Sequence, residues 1–163
     1  MEYYRSSAGV SHFMKISLVT ISPRRSAPAG PAMELLHLYI ERSLRYIPCD
    51  HRIVATETAL LRSIETAAGR TRPVLFLADS RGEQLSSEQF ATLLGRAQDD
   101  GTQSLLFAIG PADGWSPAVL ALATRTIAFG HITLPHELAA AVAAEQIYRA
   151  LTIRAGHPYH SGH

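Results

Sequence analysis

The sequence predicts an α/β fold, a mostly parallel sheet with helices on both faces. Three observations carry this reading. Short apolar runs alternate with helical patterns in the order β-α-β-α-β-α-β-α-β-α, and strands joined by helical crossovers lie parallel. Residues 73–78 (PVLFLA) and 104–109 (SLLFAI) are nearly continuous apolar runs, as suits strands covered on both faces. Gly, Pro, Ser and Asp cluster between the runs, where turns are required.

Each element follows from its own residues. Residues 1–13 (MEYYRSSAGVSHF) show no period and read as an N-terminal extension, with residues 14–163 as a single domain. Residues 16–21 (ISLVTI) are a strand, alternating and β-branched. The loop after it holds Pro23, Pro28, Gly30 and Pro31, and carries Arg24 and Arg25, a pair that could touch phosphate, though most such pairs are simply solvated. Met33, Leu36, Ile40 and Leu44 fall near helical spacing, so residues 33–46 are a helix stopped before Pro48. Residues 52–55 (RIVA) form a short strand. Residues 57–68 form a helix on Leu60, Leu61, Ile64 and Ala68, with Gly69 just past its end.

After the strand 73–78, Asp79, Ser80, Arg81 and Gly82 read as a turn. Ser86 and Gln89 have capping-box spacing ahead of Phe90, Leu93, Leu94 and Ala97, and Gly101 stops that helix. The strand 104–109 runs into Gly110. Ser116 and Pro117 open the next helix as N-cap and first residue. Residues 126–129 (TIAF) are the last strand. Pro135 or His136 begins a long helix reaching about Arg154 and Gly156. Its Ala139, Ala140, Ala141, Ala143 and Ala144 would let two helices approach closely, either across a dimer surface or inside one subunit.

The bulk numbers exclude several classes. Hydrophobic residues make up 47% of the 163 and charged residues 18%, the balance of a folded soluble chain. The formal net charge is +1, far from the strongly basic balance of a protein that grips a duplex by phosphate contacts alone. A single cysteine, Cys49, rules out an internal disulfide and a Cys-based metal site, and fits a cytoplasmic location. No stretch approaches the roughly 18 continuous apolar residues of a membrane span.

In a parallel sheet of this kind, ligands bind outside the carboxyl ends of the strands. Three turns qualify: after Ala78, after Ile109 and after Phe129. Gly110, Pro111, Ala112, Asp113 and Gly114 lack the G-x-G-x-x-G spacing of a dinucleotide site, and there is no phosphate-binding P-loop. No G-x-S-x-G elbow supports a serine nucleophile. His157, His160 and His163 recur every three residues but lie past the helix end without Cys or carboxylate nearby, so no metal site is assigned. Glu145 and Arg149 have i,i+4 spacing on one helix face, the spacing of an ordinary surface ion pair. Trp115 after its Gly-turn reads as core, or as a cover for a purine.

Together these segments resemble the ribosomal RNA large subunit methyltransferase H family, a group within the SPOUT class. The resemblance runs from about Met14 to His160. It is specific in Ile109-Gly110 with Gly114, in Thr133-Leu134-Pro135-His136, in Glu145-Gln146-Ile147-Tyr148-Arg149-Ala150 and in Tyr159-His160. A weaker match covers Asp79-Ser80-Arg81-Gly82, Leu85-Ser86-Ser87-Glu88 and Phe90-Ala91. The resemblance implies a C-terminal trefoil knot, a homodimer, and S-adenosylmethionine bound at Ala78, Gly110, Phe129, Gly130, His131, Ile132, Thr133 and Leu134. It implies methylation at N3 of a pseudouridine in 23S rRNA on the assembled ribosome. Tyr159 and His160 in the tail could supply stacking and proton transfer. Pro111 stands where the family usually has a second glycine, Ala140 where it has an arginine, and Ser161 where it has a basic residue. These departures bear on RNA recognition more than on fold, and keep a second reading open: a non-catalytic, RNA-binding or scaffold relative.

Overall fold

Five strands assemble because each puts apolar side chains on both of its faces. The computed structural model describes residues 14–23, 29–67 and 71–161. The strands are β1 (Lys15–Ile21), β2 (Cys49–Val54), β3 (Val74–Gln84), β4 (Ser104–Ile109) and β5 (Arg125–Ala128). They lie in the order β2-β1-β4-β3-β5, and every neighbouring pair is parallel. The helices are α1 (Pro31–Ser43), α2 (Glu57–Ala67), α3 (Ser87–Asp99), α4 (Pro117–Leu122) and α5 (His136–Arg154).

The two-residue repeat of the strands sorts the core into two layers. Ile16, Leu18, Phe76, Leu105 and Phe107 face α1, α3 and α5. Val19, Leu75, Leu77, Leu106 and Ala108 face α2 and α4. Phe76, Phe90 and Phe107 meet at centroid distances of 5.9–6.4 Å, and Phe129 joins them against Phe107 at 6.0 Å. The expected α/β class and order therefore hold. Residues 1–13, Arg24 and Arg25, Ala68 and Gly69, and His163 lie outside the described residues.

The helix caps follow the sequence. Ser86 accepts from the Gln89 amide while the Gln89 side chain accepts from the Ser86 amide, a complete capping box. Ser116 caps α4, with Pro117 in its first turn. Three details differ from the sequence expectation. The second strand begins at Cys49, earlier than residue 52. The first helix ends at Ser43, which leaves Leu44 more than half exposed instead of on the apolar face.

The third difference is that residues 79–82 are no simple turn. They lie within β3, where Ala78 and Glu83 both pair with Ile127 across a register shift. Gly82 allows this, since a Cβ there would stand 2.6 Å from the Ile127 amide nitrogen. For the alanines of α5, the sequence left two packings open, across a dimer surface or inside one subunit. Ala140, Ala141, Ala143 and Ala144 are buried against their own subunit, at 0–5% exposure, so their small size serves packing on the sheet and not a surface between subunits.

Candidate cofactor cleft and C-terminal tail

A cleft of about 540 Å³ opens at the carboxyl ends of β4 and β5, beside residues 78–81 within β3. Among the lining residues are Ala78, Gly110, Phe129, Gly130, Ile132, Thr133 and Leu134. These are the positions that the family resemblance assigned to the cofactor, with one exception. His131 does not line the cleft; the Gln84 side-chain amide lies 2.9 Å from its imidazole and holds it on the other side of the loop. Gly130 has φ 95°, in the left-handed region where a β-carbon is strained.

Trp115 forms part of the cleft wall. Its indole N–H donates to the Ala78 carbonyl at 2.9 Å, and the residue is 7% exposed. A Cβ on residue 110 would stand 2.6 Å from this ring, so glycine lets the β4 turn close onto the indole. Trp115 thus takes the core reading, tying two of the three turns together.

His136 ties in the third. Its Nδ1 lies 2.9 Å from the Gly110 carbonyl oxygen. A carbonyl only accepts, so Nδ1 is the donor in this bond. Nε2 is buried and has no hydrogen-bond partner among the described residues. The cleft also presents Asp79 and Arg81. Arg81 donates to Asp79 through Nε at 3.1 Å and Nη2 at 3.0 Å, and this guanidinium holds the Asp79 carboxyl below the usual carboxylate range. Ionisable groups, backbone turns and an apolar wall suit a zwitterionic nucleoside better than a purely apolar ligand.

Tyr159 and His160 lie elsewhere. They sit in a short 3-10 turn, Pro158–His160, after α5, and neither lines the cleft. The Tyr159 hydroxyl is 3.0 Å from Glu145 Oε1 and 3.3 Å from the Tyr39 hydroxyl. Burial, then Tyr39 and Glu145, push its phenol upward from the ordinary tyrosine value. Glu145 Oε1 also accepts from Arg149 Nη2 at 2.6 Å and Nε at 2.8 Å. The Arg149 guanidinium lies 4.8 Å from the Tyr159 ring centre. Arg149 Nη1 is 3.1 Å from His160 Nδ1, and His160 Nε2 is 2.7 Å from Glu88 Oε1. Arginine only donates, so the His160 Nδ1 accepts in that contact and its Nε2 donates to Glu88. That bond holds the Glu88 carboxyl down at about 2. His157 caps the same turn, its Nδ1 accepting from the Tyr159 amide.

The Glu145–Arg149 pair appears at the expected spacing but is no ordinary surface pair, because it anchors the tail. Glu145 lies nine residues after His136 on α5, about 13 Å along a helix axis. Sequence reasoning missed His136 as a tie to Gly110, and also Gln84 with His131 and Glu88 with His160. Nothing local signals these pairings, which join residues 26 to 72 positions apart.

Comparison with known proteins places the chain. The model of the family described as "Predicted SPOUT methyltransferase" matches residues 14–160. The "Ribosomal RNA large subunit methyltransferase H" of Koribacter versatilis (strain Ellin345) is 49% identical over 125 residues, covering 77% of this chain and 85% of that protein. The protein of the same name from Rhizobium etli (strain CIAT 652) is 42% identical over 138 residues, covering 83% of each. Among solved structures, the SpoU methyltransferase AviRb from Streptomyces viridochromogenes, in complex with AdoMet, superposes with TM-score 0.50 at 17% identity. That match covers 91% of this chain and 61% of AviRb, and it speaks for the fold alone. With strand order, strand-end cleft, family model and relatives in agreement, the chain belongs to the SPOUT methyltransferases, in the ribosomal RNA large subunit methyltransferase H family.

Proposed function

We propose that this protein is an S-adenosylmethionine-dependent methyltransferase of large-subunit ribosomal RNA, acting in the cytoplasm at N3 of a pseudouridine in 23S rRNA on the assembled ribosome. The observation that carries the reading is the convergence of Ala78, Gly110, Phe129, Gly130, Ile132, Thr133 and Leu134 on one cleft. The cofactor supplies a methyl group on a sulfonium, which leaves as a neutral thioether when the methyl is transferred. The chain's part is positioning. Backbone groups at these three segments hold the nucleoside, and the Nε2 of His136, buried and without a hydrogen-bond partner among the described residues, is a polar atom in their midst.

The N3 proton must be lost during transfer, and an acceptor for it must stand near the base. Tyr159 and His160 are the assigned groups, but in one chain they are held by Glu145, Arg149 and Glu88 away from the cleft lining. A homodimer resolves this by bringing one subunit's tail to the other's cleft. The C-terminal segment is proposed to thread as a trefoil knot. In support, β5 lies at the sheet edge, and α5 then returns to pack between α1 and α3 with His136 bonded to Gly110.

Calorimetric titration with S-adenosylhomocysteine tests the reading, with one saturable site per subunit expected. Methyl transfer to undermethylated ribosomes in the presence of S-adenosylmethionine, read by mass spectrometry of the nucleosides, tests the substrate. Absence of binding at millimolar ligand would favour the scaffold reading, since Pro111, which lacks an amide proton, lines the cleft.

A further inference from the structure

β3 carries a feature that strand pairing alone does not require. Ala78 and Glu83 both pair with Ile127, so residues 79–82 stand outside the ladder with β5. Irregularities of this kind beside a site re-aim side chains. Here Asp79, Ser80 and Arg81 come to line the cleft, and Gly82 closes the insertion where a Cβ would meet the backbone of Thr126 and Ile127.

Asp79 and Arg81 are fixed to each other. The Asp79 carboxylate accepts from the Arg81 amide at 2.8 Å, and from Nε and Nη2 of its guanidinium. Beneath this cover the Asp79 side chain is 8% exposed, while that of Arg81 is 72% exposed. Nη1 has no hydrogen-bond partner among the described residues. The carboxylate thus holds one edge of the guanidinium and leaves the other edge able to donate.

The ionisable residues lining the cleft are Asp79, Arg81, Asp113 and His136. Of these, Arg81 alone is a cation at every working pH. The amino-acid end of S-adenosylmethionine carries a carboxylate. Beside two aspartates that carboxylate is repelled unless a cation answers it, and a planar guanidinium matches a carboxylate in both charge and shape.

We propose that Arg81, held by Asp79, binds the carboxylate at the amino-acid end of the cofactor, and that the insertion in β3 is the element that carries it to the cleft. The inference rests on the cofactor reading of the cleft. The contact lies on a part of the cofactor that does not react, so it serves to anchor the sulfonium and not to speed the transfer directly.

The test titrates the full-length protein with S-adenosylhomocysteine and with its decarboxylated analogue, which keeps the adenosine, the thioether and the ammonium. The wild type should bind the parent ligand more tightly by roughly five- to tenfold, the lower end for a charge-assisted contact because the guanidinium faces water. In Arg81→Gln the two ligands should bind alike, with affinity for the analogue unchanged. An undiminished preference in that variant overturns the assignment while leaving the cofactor reading intact. Equal weakening of both ligands also overturns it, since Arg81 would then act on the cleft as a whole. Failure of the wild type to bind either ligand overturns the cofactor reading as well. A measurement on the wild type guards against misfolding of the variant. Its preference for the parent ligand should shrink as salt rises from about 0.05 to about 0.5 M, and a preference indifferent to salt overturns the proposal.

Discussion

The Nδ1 proton of His136, the first residue of α5, is given to the carbonyl of Gly110, the first residue after β4, across 2.9 Å. This bond joins the return of the C-terminal segment to the central turn of the cleft. Asparagine places its amide near the position of Nδ1, so His136→Asn should keep the tie and remain within about 0.5 kcal/mol of the wild type. His136→Ala should lose about 1 kcal/mol, the typical net worth of one hydrogen bond. Denaturant unfolding of the two variants checks this, and equal loss in both would discount the bond.

Trp115→Phe keeps most of the packing volume but strands the Ala78 carbonyl, now served by the indole at 2.9 Å. Ala78 is half-buried at the cleft, so losing this hydrogen bond costs about 0.5–1.5 kcal/mol. The expected outcome is destabilisation in that range, together with weaker binding of S-adenosylhomocysteine, because Ala78 and Trp115 both line the cleft. Chemical denaturation and titration of the same preparation measure both.

Tyr159→Phe removes the hydroxyl from Glu145 but leaves the Arg149–Glu145 pair in place. Stability should change by about 1 kcal/mol or less. Turnover on ribosomes should fall at least tenfold while affinity for S-adenosylhomocysteine stays within twofold. A parallel fall in cofactor affinity would place the tyrosine in the cofactor site instead.

The His51 imidazole is half-buried beside α1, with Nε2 3.0 Å from Thr20 Oγ1 and its ring 5.8 Å from that of His37. Burial first, then the charge of His37, push its pKa down to about 4, with Asp50 opposing. The unfolded chain, with an ordinary value of about 6.5, therefore takes up this proton first as pH falls. The stability contributed by neutral His51 is complete above about pH 6.5 and is lost progressively toward pH 4. Thermal midpoints should drop across that window in the wild type and less steeply in His51→Leu. Parallel profiles would show that other groups set the acid limb.

Much of this protein was legible in its sequence because the information is local. The two-residue repeat of 16–21 and the apolar runs 73–78 and 104–109 named the buried strands. Ser86 with Gln89 and Ser116 with Pro117 fixed helix starts through contacts three residues apart or fewer. The Gly110 turn and the 129–134 segment were singled out as strand ends, and all of their assigned positions but His131 meet in the cleft.

Other features were decided only by the tertiary structure, since they depend on partners distant in the chain. The sequence does not reveal that residues 79–82 rejoin β5 after a register shift, because that depends on the backbone of Ile127 lying against Gly82. Nor does it say which face the α5 alanines meet; small side chains allow close approach to any neighbour, and here the neighbour is their own sheet and helices. His131 left the expected site because Gln84, 47 residues earlier, holds its ring. Tyr159 and His160 form one motif in sequence, yet Glu145, Arg149 and Glu88 fix where they stand. Periodicity determines which side of an element is apolar, while the pairing of polar side chains across the fold is settled only when the packed chain brings donors to acceptors.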